Sequence, residues 1–175
     1  MMEEQVILVD HQDNELGQMG KLEVHEKGLL HRAFSIFIFN ETGQLLIHQR
    51  AAGKYHCPGR WTNTCCSHPR PGEEIQDAAA RRLVEEMGFS AEIQPLFSFV
   101  YHADVGGGLV EHELDHVFIG RYEGVVAPDP SEVSDFKYVD MDDLIQDVKQ
   151  GPDRYTPWFR VCLPQVTELL ARWAA

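Results

Sequence analysis

The chain has 175 residues, enough to bury about 70% of its unfolded surface and build one core without disulfide staples. Its 28 acidic and 15 basic side chains leave a formal charge of −13, which argues against a nucleic-acid or anionic-membrane surface, because Lys and Arg drive polyanion binding. No apolar run reaches the ~18 residues of a membrane span, and the acidic start Met1-Met2-Glu3-Glu4 does not read as a signal peptide. A single cytoplasmic domain over residues 1–175 is expected.

Val6–Val9 is a short β-like run, followed by a polar, turn-rich stretch from Asp10 to Gly20. His31–Phe39 (HRAFSIFIF) reads as a buried strand. Asn40–Gly43 supplies turn residues, and Leu45–Arg50 reads as the hairpin partner. Ala51–Pro71 is a long irregular segment punctuated by Gly53, Pro58, Gly59, Pro69 and Pro71, and loops of this length are usually functional. Over Glu73–Met87 the residues Ile75, Ala78, Ala79, Leu83 and Met87 recur at helical spacing, with Gly88 where a C-terminal cap belongs. Phe97–Tyr101 and Leu109–Tyr122 read as strands separated by the Gly106-Gly107-Gly108 turn. Phe136–Val139 reads as a strand before a helix over Met141–Val148. A last helix is expected from about Val166 to Trp173, with Trp158 and Pro164 ahead of it. This order predicts an α+β fold, a mixed-sheet sandwich.

Several groups of side chains carry possible chemistry. Arg81 and Arg82 stand four residues before Glu85 and Glu86, which fits ion pairs on a solvated helix face or a carboxylate presenting Mg²⁺ to a phosphate. Strand alternation puts Glu111 and Glu113 on one face, opposite Val110 and Leu114. Those carboxylates are either solvated or directed into a cavity, where their repulsion needs a metal or a shared proton. His25, His31 and His68 could complete a nitrogen–oxygen site suited to manganese, magnesium or zinc. The cysteines Cys57, Cys65, Cys66 and Cys162 contain no CxxC pair, which weakens a structural zinc reading, and are expected to be reduced. Cys66, two residues before His68, fits an activated thiol, a metal ligand or an inert buried cysteine. Lys21, Arg50, Lys54 and Arg82 are scattered cations that jointly could hold a diphosphate.

The run Ser67–Phe89 resembles a Nudix box, with Glu73, Arg81, Glu86 and Gly88 at its spacings. Ser67 replaces the opening Gly of the hydrolase consensus, and Arg82 replaces the Glu after the Arg, which weakens the hydrolase metal cluster. Trp61–Pro69 (WTNTCCSHP), Leu30–Ser35 (LHRAFS), Val110–Glu113 (VEHE) and Thr156-Pro157-Trp158 resemble one branch, the type I isopentenyl-diphosphate isomerases. The resemblance implies a Nudix-type α/β/α sandwich and interconversion of isopentenyl and dimethylallyl diphosphate. It implies Cys66 and Glu113 as the acid/base pair, Cys65 as a non-catalytic neighbour, Tyr101 in support of Glu113, and Trp158 as an aromatic wall. It also implies a metal site of His25, His31, His68, Glu111 and Glu113 holding Mn²⁺, Zn²⁺ or Mg²⁺. Glu86 would ligate a second Mg²⁺ arriving with the diphosphate, and Lys21, Arg50, Lys54 and Arg82 would contact the diphosphate. The expected partner is a small isoprenoid diphosphate, with neither nucleic acid nor membrane. A Nudix pyrophosphohydrolase and a non-catalytic Nudix binding module are the competing readings. No role is assigned to His112, Asp115 or His116.

Overall fold

The computed structural model describes residues 3–173. The strands are β1 (Gln5–Val9), β2 (Glu15–Gly20), β3 (His31–Phe39), β4 (Leu45–Arg50), β5 (Trp61–Thr62), β6 (Cys65–Ser67), β7 (Ile93–Gly106), β8 (Leu109–Arg121) and β9 (Val133–Val139). The helices are α1 (Lys21–Lys27), α2 (Ile75–Met87), α3 (Met141–Gln150) and α4 (Pro157–Trp173). All nine strands join one mixed sheet among the described residues.

The sheet is organised around β3. It runs parallel to β8 in the register His31↔Glu113 through Phe39↔Arg121, and antiparallel to β6 from Phe34↔Ser67 to Ile36↔Cys65. Its alternate residues enter two different cores. Phe34, Ile36 and Ile38 pack with Ala78, Ala79, Leu83 and Met87 of α2. Phe37 and Phe39 pack with Phe159, Leu163 and Val166 of α4 and Leu144 of α3. A strand covered on both faces needs apolar residues on both, which explains the unbroken FSIFIF run. Each fully buried Phe, Ile or Leu contributes about 1.5–3 kcal/mol by leaving water, so helices on both faces are the stable arrangement.

The helix α2 matches the sequence periodicity, and Gly88 ends it at φ +75°, donating its amide to the Val84 carbonyl. A side chain at Gly88 would collide with the Ala127 carbonyl. Other expectations need correction. The turn-rich stretch Asp10–Gly20 contains β2, which pairs with β1 from Gln5↔Gly20 to Val9↔Glu15. Leu45–Arg50 is a strand, but it touches β3 through the single pair Phe39↔Leu45 and pairs mainly with β9. The last helix begins at Pro157 and holds both Trp158 and Pro164 inside it. Proline costs an interior helix position about 3 kcal/mol; burial of Trp158, Phe159, Cys162, Leu163 and Val166 offsets that. The helix α1 has no counterpart in the sequence reading. No helix among the described residues is long and apolar enough to cross a membrane.

Candidate active site

Along β8, the face carrying Glu111, Glu113 and Asp115 continues into Val117 and Ile119, which belong to the α4-side core. The three carboxylates are therefore 1%, 6% and 2% exposed, as buried as the apolar residues that follow them. The solvated reading of this face is wrong because the strand is covered on both sides. The acidic residues form the wall of a cavity that opens where the core ends.

The parallel register sets His31, the first residue of β3, beside Glu113. His68 follows β6 on the other side of β3, and α1 carries His25 against β8. Ligand atoms of His25, His31, His68, Glu111 and Glu113 all lie within 4.8 Å of one another, and all five residues are buried. His25 Nδ1 donates to the Lys21 carbonyl at 2.5 Å and His31 Nδ1 to the Leu29 carbonyl at 2.9 Å. Both rings thereby turn Nε2 inward. His31 Nε2 lies 3.3 Å from His68 Nε2, and His68 Nε2 lies 3.6 Å from Glu113 Oε1. His25 Nε2 lies 3.2 Å from Glu111 Oε2.

Such a set of inward nitrogens and carboxylates fits a divalent cation. Burial lowers the pKa of His31 to about 4 and holds His68 well below its ordinary value, so both rings stay neutral, as metal ligands must be. Burial also opposes ionisation of Glu111, but hydrogen bonds from Glu113, His25 and His56 outweigh it and keep the group ionised. Glu113 is pushed the opposite way, by burial and then by the charge of Glu111, and stays protonated. Two carboxylates this close cannot both ionise without a cation between them.

The cavity above the cage measures about 450 Å³ out to its open mouth. Its walls include Cys66, Tyr101, Glu113 and Trp158, together with all four expected cations, Lys21, Arg50, Lys54 and Arg82. Adjacent positions on β6 point opposite ways. Cys65 is fully buried on the α2 side, where its thiol donates to Glu86 Oε2 at 3.2 Å, whereas Cys66 faces the cavity. Burial pushes the Cys66 thiol up to about 12; Arg50 opposes this, while Glu86 and Asp115 reinforce it. Tyr101 is also driven upward, by burial and by Glu113. Trp158 is 3% exposed, and the Arg50 guanidinium lies 5.2 Å from its ring centroid.

Glu86 lies outside the histidine cage, beside Arg82, whose Nη2 donates to it at 2.5 Å. Arg81 instead pairs with Glu73 at 2.8 Å and Glu85 at 3.1 Å, so this part of the box braces the loop before α2. Glu132, unremarkable in the sequence, holds Lys54 at 2.6 Å and approaches Arg82 at 3.5 Å. His56 is a second omission: it lies in the irregular loop, with Nε2 2.8 Å from Glu111 Oε1. No spacing singles out either residue. Asp115 accepts a hydrogen bond from Ser35 at 2.8 Å; burial raises its pKa to about 7 against that bond, and Glu111 adds to the rise. His112 and His116 sit on the other face of β8, where His112 donates to the Gly28 carbonyl and His116 meets Asp13 at 2.9 Å.

The chain matches the NUDIX domain family over residues 29–159. It is 53% identical to isopentenyl-diphosphate Delta-isomerase 2 of Aromatoleum aromaticum, covering 94% of this chain and 87% of that protein. The isopentenyl-diphosphate Delta-isomerase of Serratia proteamaculans is 48% identical, covering 99% of this chain and 97% of that one. Among solved structures, a Deinococcus radiodurans protein aligns at TM-score 0.71 and 21% identity, covering 85% of this chain and 90% of its own. A MutT NUDIX hydrolase of Burkholderia pseudomallei aligns at TM-score 0.63 and 21% identity, covering 78% and 98%. These structures share the fold; the sequence relatives narrow the branch, and the chain belongs to the isopentenyl-diphosphate Delta-isomerases of the Nudix family.

Proposed function

We propose that the protein is a cytoplasmic enzyme that interconverts isopentenyl and dimethylallyl diphosphate by adding a proton at one carbon and removing one from another. The single observation that carries this reading is the convergence of Cys66, Tyr101, Glu113 and Trp158 on one cavity ringed by four cations. Pyrophosphate hydrolysis needs neither a thiol nor an aromatic wall there.

Lys21, Arg50, Lys54 and Arg82 are assigned to the diphosphate. Binding energy from that remote group orients a small apolar tail that offers nothing else to hold. Glu113, with Tyr101 beside it in the same cavity, is assigned as the proton donor to the terminal alkene carbon. Protonation leaves positive charge on the tertiary carbon, which free water would trap. The Trp158 ring faces that charge, an attraction of up to ~2 kcal/mol when desolvated. Cys66 is assigned to the other side of the substrate, where it accepts the second proton. Because burial holds Cys66 as a thiol in the ligand-free protein, its own proton must leave first, and Arg50 is the neighbouring charge that favours the thiolate. In the reverse reaction the Cys66 thiol is the donor and Glu113, its own proton already released, is the acceptor.

His25, His31, His68, Glu111 and Glu113 would hold Mn²⁺, Zn²⁺ or Mg²⁺, and Glu86 would hold a Mg²⁺ brought by the diphosphate. When bound, the first ion supplies the positive charge that offsets the buried carboxylates and the second neutralises the phosphates.

Incubation with isopentenyl diphosphate and Mg²⁺ in deuterated water, followed by proton NMR, tests the reading. Dimethylallyl diphosphate carrying deuterium is the expected product. Release of phosphate or of the monophosphate would establish a hydrolase, and an unchanged spectrum with metal-loaded, reduced protein would leave a binding module.

A further inference from the structure

His56 lies in the loop between β4 and β5 and is 7% exposed. Its Nε2 is 2.8 Å from Glu111 Oε1, while Glu111 Oε2 faces His25 Nε2 at 3.2 Å. The two oxygens of this carboxylate are thus divided between two imidazoles, only one of which belongs to the five-residue cage. The rings of His56 and His25 stack at 5.6 Å with an interplanar angle of 26°. The Trp158 ring closes another side at 6.0 Å.

The backbone of His56 is held as firmly as its ring. Its carbonyl accepts hydrogen bonds from Arg50 Nη2 at 3.2 Å and Nε at 3.4 Å. The next residue, Cys57, sits at φ +48°, a left-handed conformation worth roughly 1–2 kcal/mol of strain for a side chain with a Cβ. Strain is retained where surrounding contacts over-determine the backbone. A carboxylate oxygen only accepts, so Nε2 is the donor in the contact with Glu111. His56 Nδ1 is then a buried nitrogen without a hydrogen-bond partner among the described residues. An imidazole held in this way, against the loss of one hydrogen bond, is placed for what its other nitrogen does.

We propose that His56 is a positioning residue for the metal cage: its Nε2–H fixes Glu111 Oε1 and leaves Oε2 as the one oxygen turned toward the ion. Without that bond the Glu111 carboxylate loses its hold on the Oε1 side, and Oε2, facing His25, is oriented less firmly. The inference rests on the reading of the five residues as a metal site. Loss of a hydrogen bond to a ligating carboxylate typically lowers metal affinity 10–100-fold.

The test uses the full chain stripped with chelator and titrated with Mn²⁺, free ion being counted by electron paramagnetic resonance. His56→Ala is expected to weaken Mn²⁺ binding about 10–100-fold with an unchanged circular dichroism spectrum. His56→Gln, whose side-chain amide can still donate to Oε1, is expected to restore affinity to within about threefold of wild type. Wild-type affinity in His56→Ala would overturn the inference. So would equal weakening in both variants, because lost packing rather than the hydrogen bond would then be responsible. If the wild-type chain binds no Mn²⁺, the cage reading itself fails and takes this one with it.

Discussion

Glu113→Gln in metal-stripped protein isolates a proton that the fold holds in place. Burial and then the charge of Glu111 keep the Glu113 carboxyl protonated well above the usual carboxylate range. In the unfolded chain the same group ionises near about pH 4.3. From about pH 5 up to its raised folded value this group therefore gives the folded chain one proton more than the unfolded chain, and its contribution to stability falls as pH rises, by about 1.4 kcal/mol per unit. Other buried groups add slopes that wild type and variant share. Asp115, raised to about 7, keeps its proton in the folded chain over the lower part of that range and adds slope of the same sign. Burial lowers His31, His48, His56 and His68, so around pH 6.5 and below the unfolded chain holds more of their protons than the folded one, which adds slope of the opposite sign. For His25, burial opposes the proton but the hydrogen bond and charge of Glu111 outweigh it, which adds slope of the same sign as Glu113. With an unfolding entropy of about 2.1 cal/mol/K per residue, 1.4 kcal/mol corresponds to a Tm decrease of about 4 °C per pH unit for a chain of this length. Gln matches the protonated acid in shape and has no proton to lose, so the variant's slope should be more positive than the wild type's by that amount. Thermal unfolding in excess chelator at about pH 5.5 and 6.5 reads both slopes directly. Equal slopes in wild type and variant would refute the claim that Glu113 carries the shared proton.

Cys66→Ala is expected to lower isomerase turnover roughly 10²–10⁴-fold, the usual worth of a positioned acid/base group, whereas Cys65→Ala keeps most of it. Equal losses would remove Cys66 from its assigned role. Gly88→Ala places a side chain at φ +75° and against the Ala127 carbonyl, so it should destabilise by more than the ~1 kcal/mol of the left-handed conformation alone. Denaturant unfolding measures this, and a loss under about half that figure would show that α2 can end without its glycine cap.

What the sequence determines is what local periodicity and local motif encode. The two-faced apolar run of β3, the spacing of Ala78, Ala79, Leu83 and Met87 on α2, and the cap at Gly88 all depend on neighbours within one turn or one strand. The family motifs name the cage residues, but no spacing along the chain joins His25, His31 and His68 to Glu111 and Glu113. That grouping follows from the parallel β3–β8 register and from α1 lying against β8, pairings between segments about 80 residues apart. The burial of Glu111, Glu113 and Asp115 was likewise undecidable from alternation, because a strand with one acidic and one apolar half-face looks solvated until a helix covers it. The continuation of α4 through Pro164 reflects burial strong enough to override a local breaker. His56 and Glu132 act only through partners 55 and 78 residues away, Glu111 and Lys54. Local pattern chose the elements; long-range packing, which brings charges together and sets the water around them, decided which of those charges form a site.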